Sequence, residues 1–372
     1  MKTPNGIEVI ECFEKHFPRS LAVEGDKVGL QIGKLNKKIY KIMAALDITP
    51  EVIKEAVDEK INLIIAHHPL IFTPLKVINT DTSYGEIIEL ALKNDIAIYS
   101  AHTNLDIGEG GINDALAFDL GLLDTKPLTI TSSEELYKLV VYVPLSHKEI
   151  VFTNMSNAGA GHIGNYSHCS FQINGKGTFK PLEGTNPYIG EIGEIDFVDE
   201  VRIDTIVPKQ RLKAVITAML KAHPYEEVAY DIFPLKQEGK QFGLGKVGYL
   251  KKETTLKDFA NYIKDIWGLD GLRVIGDLNR PINKVAIVGG DGNKYIYDAN
   301  RHGADVLITG DVYYHTAHDA EMLGLSMIDA GHNIEKIGKD CIKNVLEKEF
   351  NLKKFNVEIF TSKTNTNPFK FL

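Results

Sequence analysis

Cysteine is scarce in this sequence, and its few positions exclude two common kinds of small scaffold. The chain of 372 residues has three cysteines, Cys12, Cys169 and Cys341, and no C-x-x-C pair. An odd number of widely separated thiols does not build a disulfide framework or a cysteine-rich zinc module. We therefore expect reduced structural thiols in a cytoplasmic protein.

Long apolar runs, an excess of positive charge and short-period repeats are also missing. The first residues lack the apolar region of a secretory signal, and no later apolar run is long enough to cross a bilayer, so no membrane role is expected. The 50 acidic residues exceed the 42 lysines and arginines, and the net charge is −8. This balance disfavours a general nucleic-acid partner, although a local basic patch would still allow one.

The sequence does contain the alternation of strands and helices that is typical of α/β proteins. Residues 39–46, 61–66 and 96–101 are predominantly apolar and predict buried strands, with helices predicted at 50–59 and 84–93 between them. The order β-α-β-α-β implies parallel strands joined by right-handed crossovers. Side chains that follow these strands should therefore meet at one edge of the sheet.

This pattern changes after residue 123 and returns near residue 283. Between them the strands grow longer, glycines cluster, and the predicted order βαβ–βαβ resembles a ferredoxin-like α+β unit. We predict a composite α/β core with parallel strands, formed by residues 1–126 and 244–372. An inserted ferredoxin-like domain is predicted at residues 127–243.

Two adjacent histidines, His67 and His68, follow the predicted strand at 61–66. Ligands collect outside the carboxyl ends of strands in open α/β sheets. An isolated pair of this kind is more often bonded within the protein than bound to metal. A metal site becomes the better interpretation because three further ligand-type residues also follow predicted strands, namely Asp106, His332 and Glu335.

His332 and Glu335 lie on one face at i, i+3 if a helix begins at Asn333. Together the five nitrogen and oxygen ligands could hold two divalent cations, with carboxylates such as Asp106 and Glu335 bridging them. Mixed imidazole and carboxylate ligation suits Zn²⁺, Mn²⁺ or Fe²⁺ and does not choose among them.

Two other histidines have two interpretations each. His102, after the same strand as Asp106, is either a partner of the metal ligands or a strand-end histidine bonded to backbone. His315 is either a general acid or base at the rim of the pocket or an exposed histidine at a helix start. The sequence alone does not decide between these roles.

Two further motifs are better explained without a ligand. Residues 289–292 (GGDG) could hold a phosphate at a helix N-terminus, but they lack a Walker lysine, so an ordinary strand-to-helix turn is the better interpretation. The insert also contains ligand-type side chains without a fourth member at a suitable spacing, namely His162, His168 and Cys169. We predict no second metal site there.

A set of ordered motifs resembles the Nif-three-like family of dinuclear-metal proteins, whose members are often named GTP cyclohydrolase 1 type 2 homologs. The motifs are residues 45–49 (ALDIT), 67–70 (HHPL), 100–106 (SAHTNLD), 308–315 (ITGDVYYH) and 329–335 (DAGHNIE). They cover both flanking segments. The middle segment, with HPYEEVAYD at 223–231, resembles the PII-like or CutA-like insertion of longer members.

The resemblance implies a ring-shaped homohexamer, a toroid with pairs of divalent metal ions, two per subunit, facing an internal cavity. The family's metal ligands correspond to His67, His68, Asp106, His332 and Glu335, the same five residues that the strand ends indicate. The gap between His332 and Glu335 is short compared with that in other members.

Two functional hypotheses follow. The first is a metal-dependent hydrolase acting on a nucleotide-like substrate, with GTP implied by the resemblance. Activated water would attack C8 of guanine and release formate, with His315 or His102 moving protons. Phosphoester hydrolysis is a related reaction that paired metals also serve. The second hypothesis is a metal-binding regulatory or scaffold protein in which the insert senses a ligand or binds a partner.

Overall fold

The computed structural model describes residues 2–372, and helices and strands alternate along most of that length. In chain order the elements, apart from short 3₁₀ helices, are α1 (Gly6–Glu14), β1 (Gly29–Ile32), β2 (Lys41–Ala45), α2 (Pro50–Asp58), β3 (Leu63–Ala66), α3 (Ser83–Lys93), β4 (Ala97–Ser100), α4 (Thr103–Ile107), α5 (Ile112–Asp119), β5 (Leu123–Pro144), α6 (Lys148–Asn157), β6 (Ser170–Phe179), β7 (Asp196–Pro208), α7 (Lys209–Ala222), β8 (Tyr230–Thr255), α8 (Leu256–Ile266), β9 (Arg273–Ile275), β10 (Pro281–Asp291), α9 (Ile296–Arg301), β11 (Val306–Gly310), α10 (Tyr314–Met322), β12 (Ser326–Asp329), α11 (Gly338–Lys353) and β13 (Glu358–Thr361). None of the helices described over residues 2–372 is long and apolar enough to span a membrane.

The chain divides into two compact units. The core unit comprises the chain up to Ser132 together with Phe242–Leu372, and the inserted unit comprises Ser133–Gln241. The sequence prediction placed the boundaries after residues 126 and 243. In the structure the chain passes between the units inside the long strands β5 and β8, so no loop marks either boundary.

The core unit contains two groups of strands. In the five-stranded sheet β1-β4-β3-β2-β13, all strands are parallel except β1, which is antiparallel to β4 at the edge. In the second group, β8-β10-β11-β12-β9, the three central strands are parallel and the outer two are antiparallel. The predicted α/β core with parallel strands is therefore confirmed.

A continuous hydrophobic core joins the two segments of the core unit. On β3, Leu63 and Ile65 belong to a buried cluster that also contains Val285 from β10. Ile64 and Ala66 belong to a second cluster, with α2 and α3. Because β3 is covered on both faces, its sequence is a continuous apolar run and not an alternating pattern. Burial of each such Leu or Ile side chain contributes ~1.5–3 kcal/mol.

Helix α2 begins where its sequence predicts. The side chain of Thr49 accepts a hydrogen bond from the Val52 N–H at 3.3 Å, and Pro50 occupies the first turn, where its missing N–H costs nothing. This cap ends the loop that carries Asp47. The start of α2 thus limits how far that loop can move away from the end of β2.

Three local predictions are wrong. Residues 25–31 are predicted as a turn, but Gly29–Ile32 forms the edge strand β1, whose pairing with β4 no local pattern reveals. The stretch 170–180, predicted as hairpin-like, forms one strand, β6, which pairs with β7. The predicted long helix from Asn333 is a 3₁₀ helix, His332–Ile337, followed by α11. Helices α4 and α8 and strand β9 were not predicted.

The inserted unit has the order β5-α6-β6-β7-α7-β8, with neighbouring strands in the order β6-β7-β5-β8. This is the ferredoxin-like arrangement that the sequence predicts. Alternate residues of β7, Val201 and Ile203, pack in a core with Val151 of α6 and Val215 of α7. The intervening β7 residues, beginning with Glu200, lie on the other face of the sheet.

Candidate metal centre

The five predicted metal ligands meet at the carboxyl ends of parallel strands. His67 and His68 directly follow β3, and Asp106 lies in α4, the short helix after β4. His332 and Glu335 lie in the 3₁₀ helix after β12. In a 3₁₀ helix residues i and i+3 align along the axis, so both side chains point the same way.

The carboxylate of Glu335 is the centre of the cluster. Its Oε2 lies 3.0 Å from His68 Nε2, 3.1 Å from His332 Nε2 and 3.5 Å from His67 Nε2. The Glu335 side chain is 4% exposed, so water does not compete strongly for this oxygen. Three imidazoles therefore direct the same ring nitrogen at one buried carboxylate.

The turn at 289–292 makes room for this carboxylate. A Cβ at Gly290 would lie 2.6 Å from Glu335 Oε1, and the Gly290 backbone has φ +63°, which favours glycine. The sequence predicts only an ordinary strand-to-helix turn for this motif. Its glycine allows β10 to pass close to Glu335.

Each of these imidazoles is oriented from behind through Nδ1. The Nδ1–H groups donate to protein oxygens as follows: His68 to Asp47 Oδ1 at 2.6 Å, His332 to Asp311 Oδ2 at 2.6 Å, and His67 to the main-chain oxygen of Ala101 at 3.0 Å. Such bonds leave Nε2 as the ring nitrogen that faces Glu335 and raise its basicity, as in metal sites with carboxylate–histidine pairs.

Two atoms of the cluster have no hydrogen-bond partner among residues 2–372. Nε2 of His67 and Oδ1 of Asp106 are buried and unpaired, and they lie 3.8 Å apart, too far for a hydrogen bond. Buried polar atoms are nearly always partnered. A cation coordinated by both atoms would satisfy them, so the donor set fits a metal ion.

The ligand atoms form overlapping groups, and within each group all atoms lie within 4.8 Å of one another. One group is His68, His332 and Glu335, and another is His67, Asp106 and Glu335. Glu335 belongs to both. The donor atoms present could therefore hold metal ions, with Glu335 available to both groups.

The pKa values in the cluster show how strongly its groups interact. Burial lowers the pKa of His68, but hydrogen bonds with two carboxylates outweigh it and raise the pKa to about 10. The hydrogen bond to Glu335 raises the pKa of His332 to about 9 against the effect of burial. Burial raises the pKa of Asp106 to about 6, which the charge of His67 opposes. Burial also favours the protonated form of Glu335, but the nearby imidazoles hold its pKa well below its usual value.

His102 also lies at the cluster, whereas His315 is not bonded to it. The ring of His102 is 5.2 Å from that of His67, and its ligand atom groups with those of His67 and His68. His102 Nδ1 donates to Asp26 Oδ1 at 2.8 Å, so the backbone-bonded interpretation does not apply to this nitrogen. His315 is exposed at the start of α10, and its ring contacts Tyr314.

Sequence reasoning missed the role of Asp26, which lies in the turn before β1. Its Oδ2 also accepts a hydrogen bond from the Thr103 N–H at 3.0 Å, and these bonds hold the pKa of Asp26 below its usual value despite burial. Only the pairing of β1 with β4 could have indicated this position. The insert candidates His162, His168 and Cys169 belong to none of the metal-ligand groups found among residues 2–372.

Comparison with known sequences gives matches along the whole chain. Residues 4–368 match the family described as Duf34/NIF3 (NGG1p interacting factor 3). A Bacillus subtilis protein named GTP cyclohydrolase 1 type 2 homolog is 54% identical over 371 residues, with 100% of both chains covered. A Listeria innocua protein of the same name is 45% identical over 372 residues, again with 100% of both chains covered.

Solved structures give the same result. The crystal structure of a Bacillus cereus protein related to NIF3 superposes with a TM-score of 0.96 at 53% identity and covers 100% of both chains. The crystal structure of a Staphylococcus aureus protein superposes with a TM-score of 0.79 at 31% identity, also with 100% of both chains covered. The similarity therefore includes both the core unit and the inserted unit.

Proposed function

The chain belongs to the Duf34/NIF3 family, and on that basis we propose that it is a hydrolase that works with two divalent metal ions bound at the cluster around Glu335. The proposed ligands are His67, His68, Asp106, His332 and Glu335, with Glu335 shared. Zn²⁺, Mn²⁺ and Fe²⁺ all suit this nitrogen and oxygen set.

The observation that carries this proposal is the pair of unpaired buried atoms beside Glu335. Among the described residues neither His67 Nε2 nor Asp106 Oδ1 makes a hydrogen bond, and the carboxylate oxygens near His67 Nε2 lie 3.5 and 3.8 Å away. Burial without hydrogen bonds is costly unless a ligand binds these atoms. Metal ions bound there would supply a Lewis acid and lower the pKa of coordinated water. Hydrolysis is the reaction class that these two properties serve directly.

A cavity beside the cluster has room for a substrate of nucleotide size. Its volume is about 550 Å³, and its lining includes His68, His332, Tyr84 and Phe369. The imidazoles of His68 and His332 thus form part of the cavity wall. GTP is the first substrate to test, because the curated relatives in Bacillus and Listeria carry the name GTP cyclohydrolase 1 type 2 homolog.

For proton transfer we propose His102, with His315 as a second candidate. Asp26 holds His102 through Nδ1, and one ligand atom of His102 lies within 4.8 Å of those of His67 and His68. A histidine held in this way can accept a proton from water and return it to a leaving nitrogen. His315 would have to act from the exposed start of α10.

The test is formate release from GTP by protein loaded with each candidate metal. Water adds to C8, and hydrolysis of the resulting formamide releases formate, so formate reports the complete reaction without any oxidant. We expect turnover by wild type and by His318→Ala, an exposed histidine on α10, and at least ~100-fold less by His68→Ala.

Equal trace rates in wild type and His68→Ala would exclude the cyclohydrolase reaction. A phosphodiester tested in parallel would then show whether the metal pair hydrolyses phosphoesters. Full metal content without turnover on either substrate would favour the other class of function, a metal-binding regulatory or scaffold protein. We also propose a homohexamer, which light scattering of the purified chain would test.

A further inference from the structure

The inserted unit contains a cavity that the proposed hydrolase does not use. Its volume is about 620 Å³. It lies on the face of the β6-β7-β5-β8 sheet opposite the buried residues Val201 and Ile203 of β7. The residues after β6 and after α7 complete its wall. The cavity is therefore formed within the inserted unit.

A buried carboxylate, that of Glu200, forms part of this cavity. Glu200 is 8% exposed, and its Oε1 accepts one hydrogen bond, at 3.0 Å, from the Tyr225 hydroxyl. Among residues 2–372, no lysine, arginine or histidine lies within ion-pair distance of it. Buried charges are normally paired. The cavity thus presents an anionic group without a cationic partner.

Two glycines of β6 allow the carboxylate to lie in this position. Gly175 is the residue opposite Glu200 in the β6–β7 ladder. A Cβ at Gly177 would lie 2.1 Å from Glu200 Oε2, so any larger residue there would displace the carboxylate. The glycines that the sequence shows only as a cluster in the insert therefore have a steric role at the cavity.

Aromatic rings surround the same space. The ring centroid of Tyr225 lies 6.0 Å from that of Phe179 and 6.2 Å from that of Tyr188. Aromatic faces attract cations through their quadrupole, and groups of such rings beside a carboxylate bind ammonium groups. Tyr225 supplies both a ring and the hydroxyl that holds Glu200.

The other charged groups at the cavity are exposed or already paired. Arg202 donates to Asp204 at 2.7 and 3.2 Å, and Glu226 accepts from the Asn186 N–H at 3.0 Å. The remaining members, all exposed, are Lys176, Lys180 and Glu227. Solvent screens exposed charges far more than buried ones. The Glu200 carboxylate therefore determines that the interior of the cavity favours a positively charged ligand.

We propose that this cavity binds a small organic cation, with its ammonium or guanidinium group at the Glu200 carboxylate and its apolar part against the rings of Phe179, Tyr188 and Tyr225. The volume admits a molecule larger than the cationic group alone. The cation is a free small molecule, because the cavity volume is limited to about 620 Å³ and the Glu200 carboxylate is only 8% exposed.

The experiment measures binding of matched probes to the full chain by calorimetry and by ligand-observed NMR. The probes are choline, its neutral isostere 3,3-dimethylbutan-1-ol, and agmatine, which carries both an ammonium and a guanidinium group. We expect at least one of the two cations to bind at millimolar concentration or better, and more tightly than the neutral isostere.

Glu200→Gln keeps an acceptor for the Tyr225 hydroxyl and removes only the charge, so it should fold and should weaken cation binding about tenfold or more. Glu183→Gln, an exposed position in the same unit that does not line the cavity, should bind as wild type does. Tyr188→Leu should weaken binding severalfold. The proposal is overturned if neither cation binds, if the neutral isostere binds equally well, or if Glu200→Gln binds unchanged.

Discussion

Glu335 in the core unit and Glu200 in the inserted unit are both buried carboxylates, but their surroundings differ. Glu335 has three imidazole nitrogens within 3.5 Å of one oxygen, whereas Glu200 has one phenol donor and a wall of aromatic rings. Nitrogen lone pairs select metal ions, and aromatic faces select organic cations. The neighbours of a buried charge thus indicate its ligand better than the degree of burial does.

The largest effect is expected from removing the charge of the shared carboxylate. Glu335→Gln should reduce bound metal from the proposed two ions per chain to less than one, because both groups of ligand atoms lose their common anionic member. Metal analysis after purification and reloading measures this. Glu200→Gln is the matched control and should keep full metal content. An equal loss of bound metal in both variants would contradict the assignment of metal binding to Glu335 and not to Glu200.

Metal removal should lower the thermal stability of the core unit but not that of the inserted unit. At a free metal concentration ~1,000-fold above Kd, binding stabilises the native state by ~4 kcal/mol per site. The two proposed sites together give ~8 kcal/mol. For a unit of this size, chelation should then lower the melting temperature of the core unit by roughly 15 °C. Calorimetry with hydrogen exchange to assign each transition is the measurement. An equal shift of the inserted unit would contradict it.

A smaller effect is expected from Asp311, whose carboxylate accepts a hydrogen bond from the Nδ1 of a proposed metal ligand, His332. Asp311→Asn keeps an acceptor for His332 Nδ1 but loses the negative charge, so metal affinity should fall ~10–100-fold while the fold is retained. Competition with a chromogenic chelator measures the affinity. Asp265→Asn, on the exposed face of α8, should leave it unchanged. An unaltered affinity in Asp311→Asn would show that the Asp311–His332 bond does not tune the site.

The smallest effect is expected at a third buried glutamate, Glu349, which is 2% exposed. Hydrogen bonds from Lys15 and His16, each at 2.8 Å, hold the pKa of Glu349 below its usual value of 4.5 against the effect of burial. A lowered pKa in the folded state stabilises the protein above the usual pKa, and this contribution is lost as the pH falls through the lowered value.

Glu349→Gln should therefore reduce the free energy of unfolding by about 1–2 kcal/mol near neutral pH. The difference from wild type should shrink as the pH falls below the usual glutamate pKa of 4.5. Urea unfolding at neutral and at acidic pH measures it, with the exposed Glu347→Gln as control. A difference that persists in acid would mean that packing, and not the ion pair, explains the loss. The hydrogen bonds from Lys15 and His16 would then not account for the stability that Glu349 provides.

Much of the core unit could be predicted because its signals are local. The apolar run of β3 and the cap at Thr49 identify a strand and a helix start without tertiary information, and parallel strands bring their carboxyl ends together. His67 and His68 follow directly from this. The family resemblance then indicated the same ligands.

The remaining features depend on contacts between distant residues. Asp26 faces His102 only because β1 pairs with β4. The local sequence of residues 25–31 indicates only a turn. The 3₁₀ helix that carries Glu335 has the composition of an ordinary helix start. The role of Glu200 is equally hidden, because it requires Gly177 on another strand.

The cluster joins residues that are far apart in the sequence, and this has a consequence for folding kinetics. His68 and Glu335 are separated by 267 positions, with the whole inserted unit between them. Contacts of such high sequence separation form late, because a long loop must close first. Metal ions bound to the complete cluster should therefore stabilise the core unit mainly after it has closed. Metal supply should then change the unfolding rate far more than the folding rate.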